Sequence, residues 1–327
     1  MNRKVKSILL VVIVPTLYAL VLRLLFGVDG WDDLFEVMSI TFLFLLPTIL
    51  GALTVYLSPL EKVRSLSYRM IIPWVPLLLF LILTIAIAIE GWACWLMILP
   101  VFMFTSSMGG LIGGHYKLKG KNEKINISLL VFLPFLVAPI ESNLGRRTAV
   151  FEVPTYIDIK ADRDAIWDNV TRVTELKESD DTGWLTEFLG FPRPVSAELN
   201  YEGVGAYRKA IFTNGLVFHE TVTEYKDNEL MKFTIDANPQ EIPSTTLDEH
   251  VLIGGKYFDV LSGKYELEKL DDESFRLHLS SRFKMTTTFN FYAGWWGKLI
   301  MKDIQENILR VEKIRAQNIS RIDKSSE

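Results

Sequence analysis

The chain has 327 residues, 49% of them hydrophobic, with a mean hydropathy of +0.22 and a net charge of −4. Up to residue 150 there are 13 Lys/Arg against 8 Asp/Glu, and beyond it 22 against 31; an acidic second half excludes a broad nucleic-acid surface, which needs a basic face, and disfavours general adhesion to anionic headgroups. The single cysteine, Cys94, excludes intramolecular disulfides and cysteine-ligated metal sites.

The first 145 residues are written for lipid. Five apolar runs, 7–28, 36–57, 70–89, 92–114 and 126–141, approach the ~20 residues that a helix needs to cross a bilayer. The fifth is short and holds Pro134 and Pro139. The opening MNRKVK before the first run reads as an uncleaved anchor, because no small-x-small cleavage site precedes Asp29. Every second loop is basic: Arg3, Lys4 and Lys6, then Lys62, Arg64 and Arg69, then Lys117, Lys119, Lys121 and Lys124. That alternation expects a cytoplasmic N-terminus and, with five spans, an extracytoplasmic second half. A re-entrant fifth segment reverses the side.

Arg23 and Glu90 fall near span ends and are expected to snorkel to the interface, as is His115 at the boundary. Gly109, Gly110, Gly113 and Gly114 form overlapped small-xxx-small pairs, a candidate surface for homo-oligomer contact. There is no internal repeat or broken-helix pair of the kind that marks a transporter.

Beyond the linker ESNLGRRTA the writing changes to water. Val150 to Lys160 is an extended run. A short helix follows, with Asp162 or Asp164 as cap and Ile166, Trp167, Val170 and Val173 at helical spacing. A polar stretch leads through Trp184 to GFPRPV. Then strands come in quick succession: GAYRKAIFTNG, LVFHETVTEY and ELMKFTID, turned at Asn214-Gly215 and at Lys226-Asp227-Asn228. A long loop, 239–255, precedes YFDVLSGKYELEKL, and Asp271-Asp272-Glu273 turns the chain into SFRLHLSSRFKMTTT. The last element is a helix with an apolar stripe of Trp296, Ile300, Ile304, Ile308, Val311 and Ile314. An antiparallel sheet with one long helix on its face is an α+β arrangement.

Three stretches resemble the START-like, helix-grip domains also labelled SRPBCC or polyketide cyclase/dehydrase. They are YIDIKADRDAIWDNV, GVGAYRKAIFTNGLVFHETVTEYKDNELMKFTI, and the tail from Gly254 to Gln317. The resemblance covers residues 150–317 and leaves 318–327 as a polar tail. It implies an α+β helix-grip domain, a curved antiparallel sheet around a long C-terminal helix, joined here to the α-helical membrane domain that the apolar runs of the first 145 residues predict. It further implies a pocket for a hydrophobic small molecule or lipid, with no cofactor.

Alternation assigns the inward faces of such a sheet. Phe275, Leu277, Leu279, Ser281, Phe283 and Met285 share one face of the last strand; Met231, Phe233 and Ile235 point in, as do Tyr257, Leu261, Tyr265 and Leu267. Trp296, Ile300 and Ile304 close the space from the helix. Tyr207, Arg208 and Glu220 are either polar groups at the pocket wall or a surface ladder of cross-strand charges. Loop 239–255 and the segment around Pro192 are candidate gates. The inward residues serve equally as plain core.

Catalytic signatures are sparse. His219 and Glu220, adjacent on a strand, point to opposite faces. His250 sits in a loop with Asp248 and Glu249, too few ligands for a metal, and His278 lies on the outward face. Glu202-Gly203-Val204-Gly205 lacks phosphate-loop spacing. The expectation is a membrane-anchored module for a hydrophobic ligand. The alternatives are a cyclase/dehydrase-type enzyme using Tyr207, Glu220 or Tyr257, and a non-catalytic assembly protein.

Overall fold

The computed structural model describes residues 3–27, 37–119, 124–173, 183–238 and 252–326. It divides into two compact units, Met1–Arg147 with Thr287–Phe289, and Thr148–Thr286 with Asn290–Glu327.

The first unit is helical: α1 Arg3–Phe26, a π turn Thr41–Leu45, α2 Leu46–Leu57, α3 Leu60–Val63, α4 Leu66–Ile71, α5 Trp74–Ala86, α6 Trp92–Lys119 and α7 Lys124–Leu144. Among the described residues three helical stretches are long and apolar enough to cross a membrane: Ile8–Phe26, Leu66–Ala86 and Trp92–Lys119. Thr41–Leu57 and Ser128–Leu144 are shorter apolar helices. Pro73 and Pro76 fall at the start of α5, where a missing N–H costs little, so the run through α4 and α5 starts at Leu66, ahead of the expected residue 70.

Glycine sets the packing of this unit. A Cβ on Gly109 would stand 1.8 Å from the Thr48 carbonyl oxygen, one on Gly113 2.2 Å from that of Ala52, and one on Gly51 1.9 Å from that of Ser106. α2 and α6 therefore touch backbone to backbone. Gly110 lies against the Arg69 carbonyl of α4, and Gly114 against the Arg69 side chain. All four glycines expected at a homo-oligomer contact thus face helices of their own chain.

Arg23 and Glu90 also differ from expectation. They are buried and form an ion pair instead of reaching separately for an interface, because two charges taken into a low-dielectric interior must neutralise each other. Trp95 Nε1 donates to Thr84 Oγ1 at 2.8 Å, and Trp74 Nε1 to Ser107 Oγ at 2.9 Å. The outside is the reverse: Leu129, Phe132, Leu136, Ile140 and Leu144 are exposed along one face of α7, and Ile8, Val14, Leu17, Val21 and Leu24 on α1.

The second unit contains β1 Arg147–Lys160, α8 Arg163–Thr171, β2 Arg172–Val173, α9 Trp184–Leu189, β3 Pro194–Leu199, β4 Tyr207–Phe212, β5 Val217–Lys226, β6 Leu230–Ala237, β7 Phe258–Lys269, β8 Ser274–Thr287 and α10 Asn290–Ser326. The sheet order is β1-β8-β7-β6-β5-β4-β3-β2, a meander in which the first strand closes beside the last. Asn214 (φ 62°) and Gly215 (φ 81°) take the left-handed conformation in the turn between β4 and β5, closed by Phe212 N–H to Leu216 O at 2.8 Å. Asn228 (φ 58°) does the same between β5 and β6. Register shifts in β3, β5 and β7 bend the sheet, and α10 lies on its concave face. This is a helix-grip fold. Asp162 occupies the N-cap position of α8 without a side-chain cap bond, and its own N–H donates to Ser320 Oγ at 3.0 Å.

Two details depart from the alternation reading. The bulge between Val260 and Ser262 reverses the parity of β7. Phe258 and Val260 are buried ahead of it, Gly263, Tyr265 and Leu267 after it, and Leu261 is left half-buried. On α10 the deepest stripe is Gly294, Gly297, Met301, Gln305, Leu309, Glu312, Ala316 and Ser320, and Ile314 is exposed. The expected Ile300, Ile304 and Ile308 flank this stripe. α10 also continues to Ser326, so the expected polar tail is helical.

Gly109→Leu is expected to destabilise the helical unit by about 1–3 kcal/mol or more, since backbone cannot move aside as a side chain does. Melting of the detergent-solubilised chain measures this, with the exposed Phe104→Leu as a near-neutral control.

Candidate functional site

The residues expected to line a pocket occupy three environments. Met231, Phe233, Tyr265 and Leu279 belong to one packed cluster with Trp167, Val170, Leu267, Leu277 and Leu309. Towards the start of α10, Phe283 lies between Phe151 (ring centroids 5.4 Å) and Phe258 (5.7 Å), and a Cβ on Gly297 would meet it at 2.7 Å. The helix therefore rests directly on the sheet there. Met285, Ile300 and Tyr257 are buried, the last with Lys256 Nζ 5.2 Å from its ring centre, while Trp296 and Ile304 are half-buried on the flank of α10. Ser281 accepts from Gln305 Nε2 at 2.8 Å, and Gln305 also bonds Val153 O and Thr155 Oγ1, so a buried amide is fully engaged.

Tyr207 is the exception. It is 39% exposed on the outer face, with its hydroxyl on His219 Nδ1. β4 alternates so that Arg208 and Ala210 turn inward, which sends Tyr207 and Lys209 to solvent. Of the candidate gates, residues 239–251 lie outside the described residues, as do Asp248, Glu249 and His250; Pro192 is buried beside Phe191. His278 bonds Glu268 at 2.9 Å on the outer face. Among the described residues no group of three or more His, Cys, Asp or Glu is placed to hold a metal.

What the fold brings together instead is a buried polar cluster. Arg208 and Glu220 are directly cross-strand in the hairpin centred on Asn214. Arg208 Nη1 donates to Glu220 Oε2 at 2.7 Å and Nη2 to Val170 O at 3.2 Å, with both side chains at most 5% exposed. The guanidinium carbon lies 5.6 Å from the Phe233 ring centre and 5.9 Å from that of Tyr265. Opposite the sheet, α10 delivers Glu312 into the same interior. Among the described residues neither Glu312 oxygen has a hydrogen bond of good geometry, the Tyr265 hydroxyl being its one close donor, and Arg208 Nε has none either.

Burial dominates the electrostatics. Desolvation pushes the Glu312 carboxyl up to about 8, with the Arg208 charge opposing it. Desolvation also raises Glu220, again against the pull of Arg208. Tyr265 is raised well above the ordinary phenol value, first by burial and then by Glu312. For Arg208 burial acts against the charge, but the pull of Glu220, joined by the nearby Tyr265 and Glu312, outweighs it and the net shift is upward. At neutral pH the cluster therefore holds one compensated ion pair and one protonated acid, each facing apolar side chains. The pairing of Arg208 with Glu220 was legible, since both stand six residues from Asn214. The burial of Glu312 was not, because VEKIRA reads as solvated helix.

No family model matches the chain, and no curated protein does. Solved structures that align with it include the truncated norcoclaurine synthase from Thalictrum flavum, at 14% identity over 51% of this chain and 94% of that one, with a TM-score of 0.29. The Zhui aromatase/cyclase from a Streptomyces aligns at 14% identity over 52% and 94%, TM-score 0.32. A START superfamily protein from Mycobacterium smegmatis aligns at 10% identity over 51% and 98%, TM-score 0.33. The fold assignment rests on the strand order and the seating of α10.

Arg208→Met is expected to cost about 3–5 kcal/mol, because it leaves Glu220 buried and uncompensated, and Arg208→Met with Glu220→Leu is expected to recover most of that loss. Denaturant unfolding of residues 148–327 measures both. The same experiment across pH tests Glu312. A carboxyl whose folded value lies above its unfolded one stabilises fully below the unfolded value and loses that contribution as pH rises to the folded value, here between about 4.5 and about 8. Glu312→Gln is expected to flatten that slope and to raise stability at pH 7 by roughly 3 kcal/mol.

Proposed function

We propose that residues 148–327 form a START-like module for a hydrophobic small molecule or lipid, held at a membrane by the helical unit. The observation that carries this reading is the set of buried polar atoms left without a well-formed hydrogen bond among the described residues: Glu312 Oε1 and Oε2, with only the Tyr265 hydroxyl near them, and Arg208 Nε. They sit between apolar side chains of the sheet and α10. Native interiors satisfy such groups almost without exception, and ligand sites combine mostly apolar walls with a few polar groups that orient the guest. An apolar molecule with one hydrogen-bonding end suits this interior. Anchoring is supported by the three long apolar stretches and by the exposed apolar faces of α1 and α7. Beside a bilayer, a lipid ligand is at high local concentration.

A second reading, an enzyme acting on a hydrophobic substrate, draws on Glu312 alone. A carboxylic acid protonated at neutral pH, close to the Tyr265 hydroxyl, is a competent proton donor. Tyr207, on the outer face, is not a candidate for that role.

The chain purified in mild detergent is expected to carry a defined hydrophobic molecule, identified by native mass spectrometry and lipid extraction. Glu312→Leu, if folded, is expected to lose it. An empty protein that also ignores a panel of fatty acids, sterols, phospholipids and aromatic polyketides would overturn the binding reading. Binding retained with turnover lost in Glu312→Gln favours the enzyme. For topology, reporters fused after Lys124 and after Glu327 are expected on opposite sides of the membrane, the first cytoplasmic; the same side for both would remove the fifth span.

A further inference from the structure

The outward stripe of α10 changes chemistry along its length. Phe291 and Trp295 stand 69% and 52% exposed, and next on that face come Lys298, Lys302, Glu306 and Arg310, all exposed. Two bare aromatics thus sit in the first turn and a half, and charged side chains follow as far as Arg310, ahead of the exposed Ile314. Trp295 contacts Trp296 edge-on at 5.0 Å and stacks on Tyr292 at 6.2 Å, so the exposed Trp295 ring rests on an aromatic base.

The same corner of the unit is where the chain arrives. A Cβ on Gly294 would meet the Phe151 ring at 2.3 Å, and Lys298 Nζ lies 5.2 Å from the centre of that ring. The first turns of α10 therefore lie on the start of β1. Thr148 Oγ1 is 3.2 Å from Thr286 Oγ1, which places the end of β8 there too. Only Gly145 and Arg146 separate the last residue of α7, Leu144, from the first of β1. Seven residues of chain reach at most about 25 Å, so Phe151 and the aromatics beside it are tethered near the end of α7.

From this we infer that the Phe291–Trp295 corner of α10 inserts into the interfacial layer of the bilayer, as the second attachment of the START-like unit to the membrane. This rests on the membrane-anchored part of the proposed function. Aromatic rings partition to the headgroup layer, and an apolar face settles about 5–10 Å below it. Lys298 and Lys302 follow at about 1.5 Å per residue along the axis, which brings their ammonium groups to phosphate depth. The attachment fixes the unit by two points, β1 and α10, and holds its β7–β8 turn away from lipid.

The test uses the full chain in nanodiscs of phosphatidylcholine and phosphatidylglycerol. Cys94, the single cysteine, is replaced by Ala, and a bimane label is placed at Phe291→Cys or, as control, at the exposed Leu270→Cys of the β7–β8 turn. The label at 291 is expected to be quenched by shallow doxyl lipid and to be several-fold less sensitive to iodide than the label at 270. Iodide sensitivity equal at both positions, with no lipid quenching, would overturn the inference. Protection from both quenchers at 291 would overturn it as well and would show the corner covered by protein, such as a second copy. Carbonate extraction of the same preparation separates the two readings. If the chain is released, the anchored reading itself fails; if it stays in the membrane while 291 is open to iodide, only this inference fails.

Discussion

The helix-grip unit depends on how closely α10 can approach the sheet. Gly294 and Gly297 leave room for the rings of Phe151 and Phe283, and a side chain at either position would have to displace a packed aromatic. This contact sets the height of the whole helix. Once its first turns are seated, the stripe through Met301, Gln305, Leu309 and Glu312 is carried along the concave face at the same depth. The bulges in β5 and β7 supply the matching curvature.

That depth explains the unequal treatment of polar groups inside. Gln305 is satisfied by three partners, all within reach because the helix lies low on β1 and β8. Arg208 and Glu220 satisfy one another across a hairpin. Glu312, one turn beyond Leu309, is carried to the same depth with only the Tyr265 hydroxyl near it and no well-formed hydrogen bond among the described residues. A buried acid without a full set of partners costs stability. The same acid supplies the pH sensitivity of the unit, through desolvation, with Arg208 as the moderating charge.

The helical unit is built on opposite solvent logic. Its helices approach through glycine and backbone contact at Gly51, Gly109 and Gly113, its polar side chains and the Arg23–Glu90 pair face inward, and its outer faces are bare Leu, Ile, Val and Phe. Lipid provides no hydrophobic drive between helices, so close packing and internal hydrogen bonds take its place.

Much of this was present in local sequence. The change of solvent near residue 145 was legible, as were the turns at Asn214-Gly215 and Lys226-Asp227-Asn228 and the inward face of β8 from Phe275 to Met285; each follows from spacing or composition within a few residues. Tertiary structure alone decided the rest. Pairing across the sheet introduced the bulge that reversed β7 and moved Leu261 off the inner face. The approach allowed by Gly294 and Gly297 chose which face of α10 is deepest, and so buried Glu312 ahead of Ile314. Packing between helices far apart in the chain joined Arg23 to Glu90 and engaged the glycines of α6 within the chain. Periodicity tells a helix or strand that it has an apolar side. Which of two adjacent faces meets a partner depends on the size of side chains in the other element, and that information lies a hundred residues away.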